Sequence, residues 1–234
     1  MGITTKDLAN ICNVSRTTVH RALHGTGRIN PETKKKILEV AEQYGYRPDM
    51  LARGLVKGKT FQIGVVIMDV NNRYFSQMLS EIETAARQEG YFVNVTMHEQ
   101  NPELEKEQLL RLVDYHVDGI VLSSINGGTE YKKFLQELET PVVTIDNRVD
   151  AGIPFVASDG YRAIQEAMAD IMSRGYERIA FVCPPLADAR KTNIYTHQER
   201  LAAYQDAMAR KGKAPMVFSD WDYLEKTEKY LRSS

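Results

Sequence analysis

The chain has 234 residues, 43% of them hydrophobic and 26% charged, which is the composition of an ordinary globular protein. Its length is sufficient for one large domain and one small domain. It contains no apolar run long enough to span a bilayer and no signal-peptide core at its N-terminus, so we expect a cytoplasmic protein without a membrane partner.

Two further features of the composition bound the function. Residues 1–60 carry eleven Lys or Arg against five Asp or Glu, whereas the remainder carries 19 against 26. A basic head on an acidic body is typical of a protein whose head binds a polyanion, although a chance excess of solvated charge would look the same. Cys12 and Cys183, the two cysteines, lie far apart and outside any metal-ligand spacing, which argues against a disulfide or a metal site.

The N-terminal segment contains readable helix starts. Thr4 is predicted as an N-cap, with Asp7 at the position that completes a capping box and with Ile3 and Leu8 at the hydrophobic-staple positions. Ser15 is predicted to cap a second helix after a three-residue turn. A third helix is predicted from Asn30-Pro31, since proline is favoured at the first helical position, to Tyr44-Gly45.

The second predicted helix has two different faces. Its apolar residues are Val19, Ala22 and Leu23, whereas its start and outer face carry Arg16, Thr17, His20 and Arg21. Two short helices joined by a tight turn, the second exposing polar side chains at its start, indicate a helix-turn-helix. A small helical bundle with solvated charges is the alternative. In a major groove, arginine can pair with both acceptors of guanine, and threonine can contact the thymine methyl group.

This segment resembles the head of the lactose/galactose repressor (LacI/GalR) family. The resemblance rests on Thr4-Thr5-Lys6-Asp7-Leu8-Ala9, on Val14-Ser15-x-x-Thr18-Val19-x-Arg21-x-Leu23, and on the hinge-like Tyr46-Arg47-Pro48-Asp49-x-x-Ala52-Arg53-x-Leu55. It implies that Arg16, Thr17 and Arg21 read bases. One departure is His20, where the family usually has a small residue. The DNA-binding residues expected in this way are Thr5, Ser15, Arg16, Thr17, Thr18, His20, Arg21, Arg28, Ala52, Leu55 and Lys57.

Residues 48–57 form a predicted hinge that ends at Gly58. A helix this short is marginal in water, and Gly54 weakens it by about 1 kcal/mol relative to alanine, so a flexible linker is the plain interpretation. The resemblance implies that two such helices, one per subunit, pair over the minor groove on DNA. Leu55 would then insert between bases and Ala52 would allow close approach. The family often has a basic residue directly after this leucine, whereas here Val56 precedes Lys57.

From residue 61 onward, strand-like and helix-like segments alternate. Strands are predicted over Phe61–Met68, Tyr91–Met97, Gly119–Ser123, Pro141–Ile145, Phe155–Ala157, Arg178–Cys183 and Met216–Ser219. Helices are predicted between most of them, over Phe75–Gln88, Pro102–Tyr115, Tyr131–Leu138, Tyr161–Ser173 and His197–Lys211. Continuous Val/Ile strands alternating with amphipathic helices predict a doubly wound parallel sheet.

In such sheets, ligands bind beyond the carboxyl ends of the strands. Polar and aromatic residues at these ends suit a small polar ligand with an apolar face, such as a sugar. Each residue also has a structural alternative; Asp159, for example, could serve only as a helix cap. The resemblance to the family's sensor and to periplasmic sugar-binding proteins adds Asn72-Arg73-Tyr74-Phe75 and Glu199-Arg200-Leu201-Ala202. The expected effector contacts are Asn72, Tyr74, Phe75, Ser123, Asp146, Arg148, Arg190 and Arg200.

The predicted architecture is therefore an all-α helix-turn-helix head and an α/β periplasmic-binding-protein-like sensor. The predicted boundaries are a head at 1–47, a hinge at 48–59, a first sensor subdomain at 60–158 and a partial second subdomain at 159–234. The resemblance ends near Leu231, where family members continue, so we expect an incomplete second subdomain in a fragment or a naturally short chain.

The expected function is that of a homodimeric transcription regulator, a repressor in the simplest case. It would bind a pseudo-palindromic DNA operator under the control of a small effector and would need no cofactor. An α/β enzyme is disfavoured because the sequence has no phosphate-binding glycine loop, no nucleophile elbow and no paired histidine ligands. A constitutive DNA-binding protein whose sensor only dimerises remains an alternative.

Overall fold

A computed structural model describes residues 3–47, 54, 58–186, 192–220 and 222–232. The chain divides into two compact units, residues 1–60 and 61–234. The predicted hinge residues Ala52, Leu55 and Lys57 lie outside the described residues, as does Arg190.

The N-terminal unit contains three helices in its described part: α1 (Thr5–Cys12), α2 (Arg16–His24) and α3 (Pro31–Gln43). The predicted capping box of α1 is confirmed, because the Asp7 carboxylate accepts a hydrogen bond from the Thr4 N–H at 2.9 Å and the Thr4 hydroxyl accepts one from the Asp7 N–H. Asn30 caps α3 by accepting a hydrogen bond from the Glu32 N–H at 2.9 Å. The local sequence therefore determines where the helices begin.

The core of this unit is small. Residues from all three helices form it, and Ile3, Val14, Leu23, Ile29, Val40 and Tyr46 pack around it. Its buried members are Leu8, Ala9, Cys12, Val19, Ala22, Ile37 and Ala41. Cys12 is a free buried thiol, as is Cys183 in the other unit.

The C-terminal unit is built on a five-stranded sheet with the order β2-β1-β3-β4-β5, in which every pairing is parallel. Its strands are β1 (Gln62–Ile67), β2 (Phe92–Met97), β3 (Gly119–Leu122), β4 (Val142–Ile145) and β5 (Phe155–Val156). The intervening helices are α4 (Arg73–Gln88), α5 (Pro102–Asp114) and α6 (Thr129–Glu137). The predicted doubly wound parallel sheet is thus confirmed.

The strand order β2-β1-β3 makes β1 a central strand. Val65, Val66 and Ile67 of β1 are fully buried, as expected for a strand covered on both faces. Gly64 of the same strand lies against Leu112 of α5: a Cβ atom at position 64 would stand 2.6 Å from the leucine Cδ1. A larger residue there would force the Leu112 side chain to move.

The rest of the unit contains a second sheet of two parallel strands, β6 (Ala180–Val182) and β7 (Met216–Phe218). The helices of this part are α7 (Gly160–Ser173), α8 (Tyr195–Arg210) and α9 (Tyr223–Arg232). The fully buried Tyr204 of α8 ties the two strands together, because its hydroxyl contacts the Ile179 and Met216 carbonyl oxygens at 2.8 and 3.1 Å. None of the described helices combines the length and apolar character that a membrane crossing requires.

Candidate functional site

The start of α2 is held in place by its N-cap. The Ser15 Oγ accepts a hydrogen bond from the Thr18 N–H at 3.1 Å and lies 2.9 Å from the Thr18 hydroxyl oxygen. This cap occupies Ser15 and Thr18 with each other and leaves the intervening side chains, Arg16 and Thr17, exposed. The cap therefore holds the first turn of α2 in place, with the side chains of Arg16 and Thr17 facing outward.

The two faces of α2 differ as predicted. Val19 and Ala22 are at most 1% exposed and pack into the core, whereas the polar side chains on the outer face are exposed. The aliphatic part of the Arg21 side chain passes over Gly27, where a Cβ atom would lie 3.3 Å from the arginine Cδ. An anchored inner face and an accessible outer face are what a groove-reading helix requires.

One histidine of this helix, His24, was not among the predicted contacts. The rings of His20 and His24 stack with their centroids 4.2 Å apart, and the His24 Nδ1 lies 2.9 Å from the His20 carbonyl oxygen. The spacing of four residues, which places two side chains on one helix face, was the signal that could have identified His24. The pair extends the polar surface of α2 to its C-terminal end.

The other predicted DNA contacts in the described residues differ in how exposed their side chains are. Arg28 is exposed between α2 and α3, whereas Thr5 and Thr18 are half-buried. Among the lysines of α3, Lys35 is exposed and pairs with Glu39 at 3.9 Å, and Lys36 donates to the Cys12 carbonyl oxygen at 3.4 Å.

A second candidate site lies in the C-terminal unit, where a cavity of about 850 Å³ opens beyond the carboxyl ends of the strands. Six of the eight predicted effector contacts line this cavity: Asn72, Tyr74, Phe75, Ser123, Asp146 and Arg200. Arg148 does not, because its side chain is exposed and its backbone carbonyl is the part that accepts a hydrogen bond, from Asn193 at 3.0 Å. Arg190 cannot be placed, since it lies outside the described residues.

Several cavity residues were not predicted. They include His98, which follows β2, and residues at the start of α8 or just before it: Asn193, Thr196 and His197. His98 stands at a strand end like the predicted residues, so the same topological argument could have found it. Asp159 is not part of this cavity and caps α7 instead, accepting a hydrogen bond from the Arg162 N–H at 2.8 Å.

The polar groups of the cavity are suited to hydrogen bonding with hydroxyl groups. The Tyr74 hydroxyl donates to Asp146 Oδ1 at 3.3 Å, and burial, with the charge of Asp146, raises the pKa of this tyrosine. Burial, with the charge of Arg200, lowers the pKa of His197. These shifts favour the neutral forms of the Tyr74 phenol and the His197 imidazole, which line the cavity together with Asp146 and Arg200.

Two family matches cover nearly all of the chain. Residues 4–49 match the bacterial regulatory proteins of the lacI family, and residues 60–230 match the periplasmic binding proteins and sugar binding domain of the LacI family. The chain belongs to the LacI family. This membership confirms the expectation of a regulatory protein rather than an enzyme.

Two individual relatives show how far the similarity extends. The chain is 31% identical to catabolite control protein A of Priestia megaterium over 99% of its own length and 70% of that protein's. It is 30% identical to the HTH-type transcriptional regulator PtxS of Pseudomonas putida, and this match covers 89% of the chain and 60% of PtxS. The chain thus spans 60 to 70% of the length of these two relatives.

A solved structure confirms the fold at lower identity. The lac repressor dimer bound to operator and the anti-inducer ONPF superimposes with a TM-score of 0.82 and 20% identity, covering 100% of this chain and 71% of that one. The helix-turn-helix head and the periplasmic-binding-protein-like domain therefore both share the fold of that structure.

Proposed function

We propose that the chain is a sequence-specific transcription regulator that binds operator DNA through α2 and responds to a small polar effector in the sensor cavity. The observation that carries this proposal is the two-faced α2 helix, with Val19 and Ala22 buried and Arg16 and Arg21 exposed. In this function residues 1–47 form the DNA-binding head, 48–59 the hinge, 60–158 the first sensor subdomain and 159–234 the second. The regulator acts in the cytoplasm, where bacterial DNA lies.

The roles within the head follow from side-chain chemistry. Arg16 and Arg21 supply forked donors for guanine, and Thr17 supplies a methyl contact for thymine. His20 and Arg28 add donors near the phosphate backbone, while Ser15 and Thr18 hold the start of the helix. Leu55 and Ala52 act at the minor groove and Lys57 at phosphate. Phosphate contacts make the affinity fall with salt, whereas base contacts determine the sequence.

The regulator acts as a homodimer, so that two heads meet an inverted repeat. The edge strand β2 exposes the apolar side chains of Phe92, Val95 and Met97, which supports pairing between two copies along this edge. The similar lac repressor structure is also a dimer on its operator. Sedimentation equilibrium of the full chain and of Phe92→Glu tests the pairing: the wild type should be dimeric and the variant should dissociate.

Selection of bound duplexes from a random DNA pool tests the DNA-binding function. Enrichment of an inverted repeat, with affinity that falls steeply as salt rises, is the expected result. Binding without any enriched sequence would show that the head binds DNA nonspecifically, through its positive charge alone.

The effector is a sugar or a related polyhydroxy metabolite. The cavity combines apolar surface from Phe75 with donors and acceptors from Asn72, Asp146 and Arg200. Calorimetry against a panel of D-ribose, D-glucose, cellobiose and D-gluconate should find heat that Arg200→Ala abolishes. If none of these sugars gives heat while operator binding is intact, the result favours the alternative of a constitutive regulator whose sensor only dimerises.

A further inference from the structure

Glu105, on helix α5, is a fully buried carboxylate. Its Oε1 accepts hydrogen bonds from Ser124 Oγ at 2.7 Å, from Asn126 Nδ2 at 3.0 Å and from the Tyr131 hydroxyl. Its Oε2 accepts one from the Ile125 N–H at 2.7 Å. Three of these four donors belong to the loop that follows β3.

This carboxylate is balanced by neutral donors. No Lys or Arg within the described part of the chain forms an ion pair with Glu105; the basic group beside it is His98, whose Nε2 lies 3.9 Å from Oε2. Burial lowers the pKa of His98, and its Nδ1 accepts a hydrogen bond from the Gln100 N–H, so this ring is neutral and donates to the Ser123 carbonyl oxygen. Burying a carboxylate is unfavourable unless hydrogen bonds satisfy it. Here those hydrogen bonds come mainly from the loop after β3, so the buried carboxylate holds this loop in place.

The same loop also lines the cavity, through Ser123, Ser124 and Ile125. Two of its backbone carbonyls also hold the segment that leads into α8. The Ile125 carbonyl accepts from the Asn193 N–H, and the Asn126 carbonyl accepts from Asn193 Nδ2 at 3.0 Å. The Asn193 Oδ1 in turn accepts from the Tyr195 N–H at 3.2 Å, at the first residue of α8.

Helix α8 also lines the cavity, through residues that include His197 and Arg200. A continuous chain of hydrogen bonds therefore runs from Glu105 through the 124–126 loop and Asn193 to the start of this helix. We infer that Glu105 is a positioning residue for both of these lining segments, the loop after β3 and the start of α8, although its own side chain does not line the cavity. As an inference about an effector pocket, it rests on the function proposed above.

Hydrogen–deuterium exchange of the full chain tests this inference without any effector. In Glu105→Gln the amide oxygen can replace Oε1, but the amide nitrogen then faces the Ile125 N–H, donor against donor. We expect exchange at Ile125 to become about tenfold faster, the equivalent of roughly one lost hydrogen bond. Peptides covering 119–127 and 192–200 should exchange faster, and those of α1–α3 and β2 should not. Glu107→Gln, on the same helix but exposed, is the matched control.

Two further variants separate positioning from simple stabilisation. Asn193→Ala should speed exchange in 192–200 and leave 119–127 protected, since it breaks the chain after the loop. Tyr131→Phe removes one donor and should give a weaker version of the Glu105→Gln pattern, even if Glu105→Gln fails to fold. Uniformly faster exchange throughout residues 61–234, or no local change in either segment, would overturn the inference. Failure of calorimetry to find a sugar would instead bear on the proposed effector function, because the exchange experiment contains none.

Discussion

The N-terminal head and the C-terminal sensor unit acquire their candidate sites in different ways. Each helix of the head starts at a capping side chain that accepts a hydrogen bond from a backbone N–H no more than three residues away. Examples are Thr4 with Asp7 and Ser15 with Thr18. The sensor cavity instead joins residues far apart in sequence, such as Tyr74 and Asp146. Local chemistry thus builds the outer surface of α2, whereas the cavity of the C-terminal unit exists only once the sheet has formed. A substitution should accordingly act through a few neighbours in the head and through long-range packing in the sensor.

Truncating one core leucine in each unit is expected to give the largest effect. Leu8 and Leu135 are both buried, at 0% and 2% exposure, and replacing either with alanine should cost about 2–5 kcal/mol. The head has a much smaller core, so Leu8→Ala should unfold it, whereas Leu135→Ala should leave the sensor folded with a lower melting temperature. Amide NMR spectra distinguish the outcomes. Native head resonances in Leu8→Ala would show that the head is stabilised from elsewhere.

Acid should weaken the sensor through His98. Burial lowers the pKa of this histidine below its usual 6.5 in the folded state, so the unfolded chain binds the proton more tightly. The stability that His98 contributes is therefore complete above pH 6.5 and is lost as the pH falls through the folded-state pKa. Denaturant unfolding of the sensor at pH 7.5 and 5.5 should show this loss. His98→Gln should reduce the difference; an unchanged difference would assign it to other groups.

The capping box of α1 should contribute less. Thr4→Ala removes the hydroxyl that accepts from the Asp7 N–H and should cost the head about 1 kcal/mol. Thr26→Ala is the matched control, because Thr26 is exposed in the turn after α2 and should change stability by less than about 0.5 kcal/mol. Equal effects of the two substitutions in thermal unfolding would mean that the cap is not stabilising.

The same box predicts a pH dependence of its own. Hydrogen bonds from Thr4 lower the pKa of Asp7 below its usual 3.8. Their contribution is therefore present above pH 3.8 and is lost as the pH falls through the folded-state pKa. Unfolding of the head between pH 5 and 2 should be less acid-sensitive in Asp7→Asn than in the wild type.

The contrast between short-range interactions in the head and long-range packing in the C-terminal unit also explains which features could be predicted from the sequence. Thr4, Ser15 and Asn30-Pro31 identified the three head helices because caps are short-range signals, and continuous Val/Ile runs identified the strands within one or two residues. Helix α9 was not predicted, although the apolar residues of the segment from Tyr223 to Arg232 recur at helical spacing among its charged residues.

The cavity was predicted only in part, for a physical reason. Strand ends can be read from the sequence, and they brought Asn72, Ser123 and Asp146 together correctly. Arg148 follows the same strand end as Asp146 but points to solvent, which depends on loop conformation. Glu105 gave no signal at all, because a glutamate in an amphipathic helix is normally solvated and only tertiary packing buries it. The four domain boundaries, like the individual site roles, remain predictions.

The most direct test of the account is the sequence selectivity of two arginine variants. Selection from a random duplex pool should be repeated with Arg16→Ala and Arg21→Ala, with Lys35→Ala on α3 as the control. Each arginine variant should lose about 1–3 kcal/mol of discrimination at defined positions of the half-site and keep the rest of the sequence. Uniform weakening on all sequences would show that these arginines contact phosphate and that α2 does not read bases.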